Sequence, residues 1–103
     1  MGSCDFSCEG FGKDAKDAFW KTVENAQYDH GHSGYSGTIA EKDSFVMIDV
    51  PEGESPSKYA QKLIDEDDGR VSNKWGPAGC IDMGPSKYRE GMRRYIFFGW
   101  ASS

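Results

Sequence analysis

No apolar run in this sequence is long enough to cross a membrane; a stretch such as Tyr95–Phe98 ends after four residues. The N-terminus lacks the charged-then-apolar pattern of a secretory signal. Its Met1-Gly2 opening would suit myristoylation only with Ser or Thr at position 6, where Phe6 stands. These absences predict a cytoplasmic protein with no membrane partner. Cysteine is scarce, at three residues, and an odd number cannot pair fully within one chain. A reducing compartment would keep all three as thiols.

The motifs of phosphate and cofactor chemistry are missing too. No Gly-Lys-Ser/Thr sequence enters a helix, so there is no Walker loop. No glycine fingerprint follows a strand and opens a helix, which excludes a dinucleotide site of the usual kind. Neither an activated nucleophile nor a pair of catalytic carboxylates stands out. Cys4, Cys8, Cys80 and one histidine would make four zinc ligands. The Cys-x3-Cys spacing is not that of a zinc knuckle, however, and Cys80 sits in an apolar segment as a small hydrophobe would. The expectation is therefore a protein without cofactor, metal or catalysis of its own.

What remains is aromatic and acidic. The 103 residues suffice for one hydrophobic core, and rings make up 14% of them, so large side chains supply much of the buried area. Mean hydropathy is −0.70, yet the apolar residues gather into blocks separated by Gly, Pro and Asp, as folding requires. The net charge of −5 hides a polarity: residues 1–69 carry 15 acidic and 6 basic side chains, residues 70–103 only 2 acidic and 6 basic. An acidic surface repels nucleic acid and speeds encounter with basic partners. The basic cluster Lys87, Arg89, Arg93 and Arg94 is the one local exception.

Residues 1–12, rich in Gly and Ser, read as an irregular segment ahead of a single domain over 13–103. Ala15, Ala18, Phe19, Val23 and Ala26 share a helical face from Lys13 to about Tyr28, with Asp14 and Asp17 favourably placed near the positive end of the dipole. Thr38–Ala40, a turn at Glu41–Asp43 and Ser44–Val50 read as a hairpin. Ser55-Pro56 opens a second helix whose buried stripe is Tyr59, Ala60, Leu63 and Ile64. A short strand over Ala78–Ile81 and an apolar one over Arg94–Trp100 follow, the latter central to the sheet. The expected fold is α+β and two-layered: about four antiparallel strands with two helices on one face, in the order αββαββ.

Two regions carry candidate function. In Asp29–Thr38, glycines recur every third residue among hydroxyls and both histidines. One reading is a small-ligand- or nucleotide-binding module, or a weak enzyme, built on this loop with His30, His32, Tyr35, Ser36 and Thr38, its backbone N–H groups forming an anion nest. The other is a tight connection whose glycines supply positive φ. Trp20 beside the helix stripe and Trp75 in a loop, with the acidic run containing Asp65, Asp67 and Asp68, instead suggest a surface for another protein, one with a basic face. Oligomeric state is not legible.

Three segments, His30–Lys42 (HGHSGYSGTIAEK), Lys74–Ile81 (KWGPAGCI) and Phe97–Ser102 (FFGWAS), resemble small proteins of bacteriophages and other mobile elements that have no assigned activity. The resemblance implies a small accessory protein acting on a macromolecule inside a bacterial host cell. It transfers no catalytic residue.

Overall fold

The computed structural model describes residues 3–30, 39, 42, 44–66, 68, 69, 71, 76–85 and 91–102. The elements run β1 (Ser3–Gly12), α1 (Ala15–His30), β2 (Phe45–Met47), α2 (Pro56–Asp65), β3 (Ala78–Pro85) and β4 (Arg93–Ser102). They build an α+β fold with one four-stranded sheet, ordered β1-β4-β3-β2. Strand β4 is central, as its apolar sequence predicts, and runs antiparallel to both β1 and β3. Strand β2, however, is parallel to β3, so the sheet is mixed and not wholly antiparallel. A parallel pair needs a crossover connection, which is the place α2 occupies in the chain.

Alternation along β4 decides where the helices sit. Tyr95 and Phe97 pack with Ala18, Phe19 and Val23 of α1, whereas Ile96 and Phe98 pack with Ala60, Leu63 and Ile64 of α2. Successive strand residues point to opposite faces. The helices therefore cover opposite faces, and the expected two-layer arrangement is replaced by a sheet between helices. The reason is in the composition: Tyr95–Phe98 is apolar at every position, and a strand apolar on both faces needs cover on both.

The N-terminal segment expected to be irregular is instead a strand of ten residues, paired with β4 from Ser3↔Ser102 to Gly12↔Arg93 without a break. Its alternation is disguised because glycine takes the place of apolar residues on the inner face. Phe6 and Cys8 reach the α1 core, and Gly10 and Gly12 continue the same face beneath the helix. The element order is thus βαβαββ, not αββαββ. Of the expected hairpin, β2 keeps only Phe45–Met47. Ile39 lies in a turn that Lys42 N–H closes on its carbonyl at 2.9 Å, and the rest of that hairpin's first strand falls outside the described residues.

The helix termini follow local chemistry. Asp14 Oδ1 accepts the Asp17 N–H at 2.8 Å, and Asp17 Oδ2 accepts the Lys13 N–H at 3.0 Å, a reciprocal cap built from two aspartates. Ser55 precedes Pro56 at the start of α2 as expected, but its side chain makes no cap hydrogen bond. Beyond α2, Asp68 N–H closes on the Leu63 carbonyl at 3.0 Å and ends the turn. Lys42, buried to 4% exposure, donates to the Gly76 carbonyl at 2.9 Å and lies 5.9 Å from the Phe6 ring centroid. It thereby ties two connections to β1.

Candidate partner-binding surface

Of the sequence-predicted residues, Trp20 is the one the structure places most informatively. It lies on the flank of α1 that faces β2, at 42% exposure, with its ring edge-on to Phe19 at 5.2 Å. Phe19 is fully buried and continues the stack to Phe45 at 5.0 Å and Phe97 at 5.6 Å. The exposed indole is therefore the outer member of a chain of rings that reaches the centre of the sheet. Lys16, Ser44 and Phe45 complete a shallow cleft of about 260 Å³ around it.

Met47, which the sequence alone does not single out, stands 49% exposed on β2. Its register places it beside Cys80, on the face α1 occupies. Helix α1 lies chiefly over β1 and β4, which leaves Phe45 and Met47 at the uncovered margin of that face. Trp20 and Met47 are the large hydrophobics that stand exposed among the described residues. The signal for Met47 was present in the sequence only as alternation: Phe45 and Met47 share a face, with Phe45 nearer the core.

Asp65 and Asp68, proposed to accompany Trp20, do not share its surface. Asp65 ends α2, on the other face of the sheet, and accepts a hydrogen bond from Gln61 Nε2 at 2.9 Å. Asp68 is half-buried in the turn after α2, where its backbone closes the helix end. Asp67 and Trp75 lie outside the described residues, as do His32, Tyr35, Ser36 and Thr38 of the glycine loop. His30, expected in that loop, instead forms the last residue of α1.

The basic cluster is also divided. Arg93 reaches Asp82 through both Nε and Nη2, at 3.2 and 2.9 Å, which raises the arginine's pKa further. Asp82 also accepts the Gly84 N–H at 2.8 Å, where Gly84 adopts φ +91 and the β3–β4 register shifts. Arg94 points to the other face and pairs with Glu9 at 3.1 Å. Lys87 and Arg89 are outside the described residues. Both described arginines are thus engaged within the sheet, on different faces.

The thiols are structural in character. Cys8 and Cys80 both register against Phe97 from neighbouring strands, two strand spacings apart or about 9.6 Å. Burial pushes Cys8 up to about 11 and Cys80 up to about 12, with the Asp82 charge adding to the second. Among the described residues no three His, Cys, Asp or Glu side chains come together to hold a metal, and no helix is long and apolar enough to cross a membrane.

These features define a class: a small α+β domain with a mixed sheet between two helices and an aromatic cleft at the margin of one face. No protein-family model matches the chain, and comparison with curated proteins and with solved structures finds no match.

Proposed function

We propose that this protein acts by docking on another protein through the surface formed by Trp20, Phe45 and Met47. The observation that supports this reading is the exposed Trp20 indole over the apolar cleft that Phe45 helps to line, with the Met47 thioether exposed two residues further along β2, the two being the large hydrophobics exposed among the described residues. Tryptophan anchors of this kind carry disproportionate binding energy, and methionine adapts to an irregular partner. The Phe19–Phe45–Phe97 stack holds the indole in place before contact, which lowers the entropy lost on binding. Lys16 at the rim supplies polar contact at the edge of the cleft.

The resemblance to bacteriophage and mobile-element proteins makes a bacterial lysate the natural source of the partner, and the role that of an accessory protein in the host cytoplasm. The test is capture from such a lysate by the intact protein and by a Trp20→Ser/Met47→Ser double variant. The wild-type chain retains a specific protein, and the variant loses it at least tenfold while melting at an unchanged temperature. Equal retention by both proteins overturns the proposal.

A further inference from the structure

The sheet has two edges, and they are unlike. Strand β2 is three residues long and runs out toward Pro51. Strand β1 has ten residues in continuous register, with no proline, lysine or bulge along it. Short strands, lysines, prolines and bulges are the usual means of preventing an edge from pairing. Among the described residues no strand lies on the outer side of β1.

Beside this edge a cleft of about 490 Å³ runs between β1 and α1, lined by Glu9, Gly10 and Phe11 below and by Lys21, Glu24 and Asn25 above. Lys21 is already held by Asp17 at 3.0 Å. Of the two acids in the lining, Glu24 is exposed and Glu9 is paired with Arg94 at 3.1 Å. On the face of β1 away from α1, Asp5, Ser7 and Glu9 are exposed at alternate positions. The Glu9 carboxylate, bound to Arg94 from the inside, keeps about half of its surface open to solvent, at 51% exposure.

We infer that the outer edge of β1, with the cleft between it and α1, accepts an extended, lysine- or arginine-bearing segment of a partner protein as a fifth strand. Main-chain hydrogen bonds to the edge supply affinity, and alternate side chains supply specificity. Side chains on one face of the added strand enter the cleft under α1. Those on the other face lie beside Asp5 and Glu9, which are four residues apart, so the matching segment carries its cations at i and i+4. Charge also disfavours three of the registers in which a second copy of this chain could pair. Antiparallel self-pairing centred on Ser7 sets Asp5 opposite Glu9, and centring on either acid sets it opposite itself, whereas like charges directly opposed are destabilising.

The edge lies on the other flank of α1 from Trp20, and shares with the preceding proposal only the premise of protein contact. The probe is a synthetic peptide of about ten alternating Val and Thr residues with two lysines in place of Thr four positions apart. Its controls are the same peptide with glutamates for lysines, and two versions N-methylated at odd or at even positions. Titration by fluorescence anisotropy into the full chain gives saturable binding of the lysine peptide, weakened on the order of tenfold in the glutamate peptide and in a Glu9→Lys protein. One of the two N-methylated peptides fails to bind, and Trp20→Ser leaves all of these affinities unchanged. Equal binding by both N-methylated peptides and the parent, or by the lysine and glutamate peptides, overturns the inference. A stable homodimer in sedimentation velocity, with β1 amides protected from exchange, gives the edge to a second copy and overturns it equally.

Discussion

Gly10 shows how closely α1 is seated on β1. A methyl group added there would collide with the Thr22 hydroxyl, stand 2.8 Å from the Phe97 ring and 3.3 Å from the Ala18 carbonyl. The backbone atoms cannot retreat without moving the helix, so Gly10→Ala is expected to destabilise by about 1–3 kcal/mol, measured by urea denaturation. Gly53, with φ +88 and open space around it, provides the contrast: its replacement costs only local backbone strain. The buried thiols make a second prediction at this scale. In the folded chain Cys8 and Cys80 hold their protons up to about 11 and about 12, against an ordinary 9.0. The unfolded chain releases them earlier, so stability is fully present below pH 9.0 and declines as pH rises through that window. The melting temperature should fall on the alkaline side, and less steeply in a Cys80→Ala variant. On a Cys4→Ser background both thiols should resist iodoacetamide until the protein is unfolded.

Among the elements, α1 depends on its aspartate cap and α2 does not depend on its serine. Asp14→Ala removes the acceptor of the Asp17 N–H and should cost about 1 kcal/mol, whereas Ser55→Ala should be nearly neutral, as thermal melts of the two variants would show. The Lys13 N–H and Lys21 hold Asp17 below the ordinary carboxylate range, so their contribution is present above that range and lost as pH falls through the lowered value. Both helices and β4 were legible in the sequence, because helical spacing at Ala15–Ala26 and at Tyr59–Ile64, and the Tyr95–Phe98 run, leave little choice. Strand β1 was not. Its inner face reads Phe6, Cys8, Gly10, Gly12, and the two glycines that make room for the helix also erase the apolar alternation that marks a strand.

At the scale of the whole molecule, the order of elements underdetermines the architecture. A strand, a helix, a strand, a helix and two strands are compatible with helices on one face or on both, and with β2 in either direction. What settles it is that consecutive β4 residues pack into different cores, so Phe97→Ala should weaken the α1 side and Phe98→Ala the α2 side, each by about 3–5 kcal/mol. The candidate site was legible in part for the same reason. Trp20 stands out as an indole beside a helical stripe, but pairing it with Asp65 and Asp68 presumed a single helical layer. Met47 belongs with Trp20 only once β2 is placed at the margin of the face under α1. The central claim is docking through that margin. Its most direct test is side-chain NMR of the protein in complex with the partner captured by the wild-type chain. The account predicts that the Trp20 indole N–H and Met47 methyl signals shift or broaden on binding. Unchanged signals from both, with shifts confined to the residues of the 29–38 loop, would contradict it.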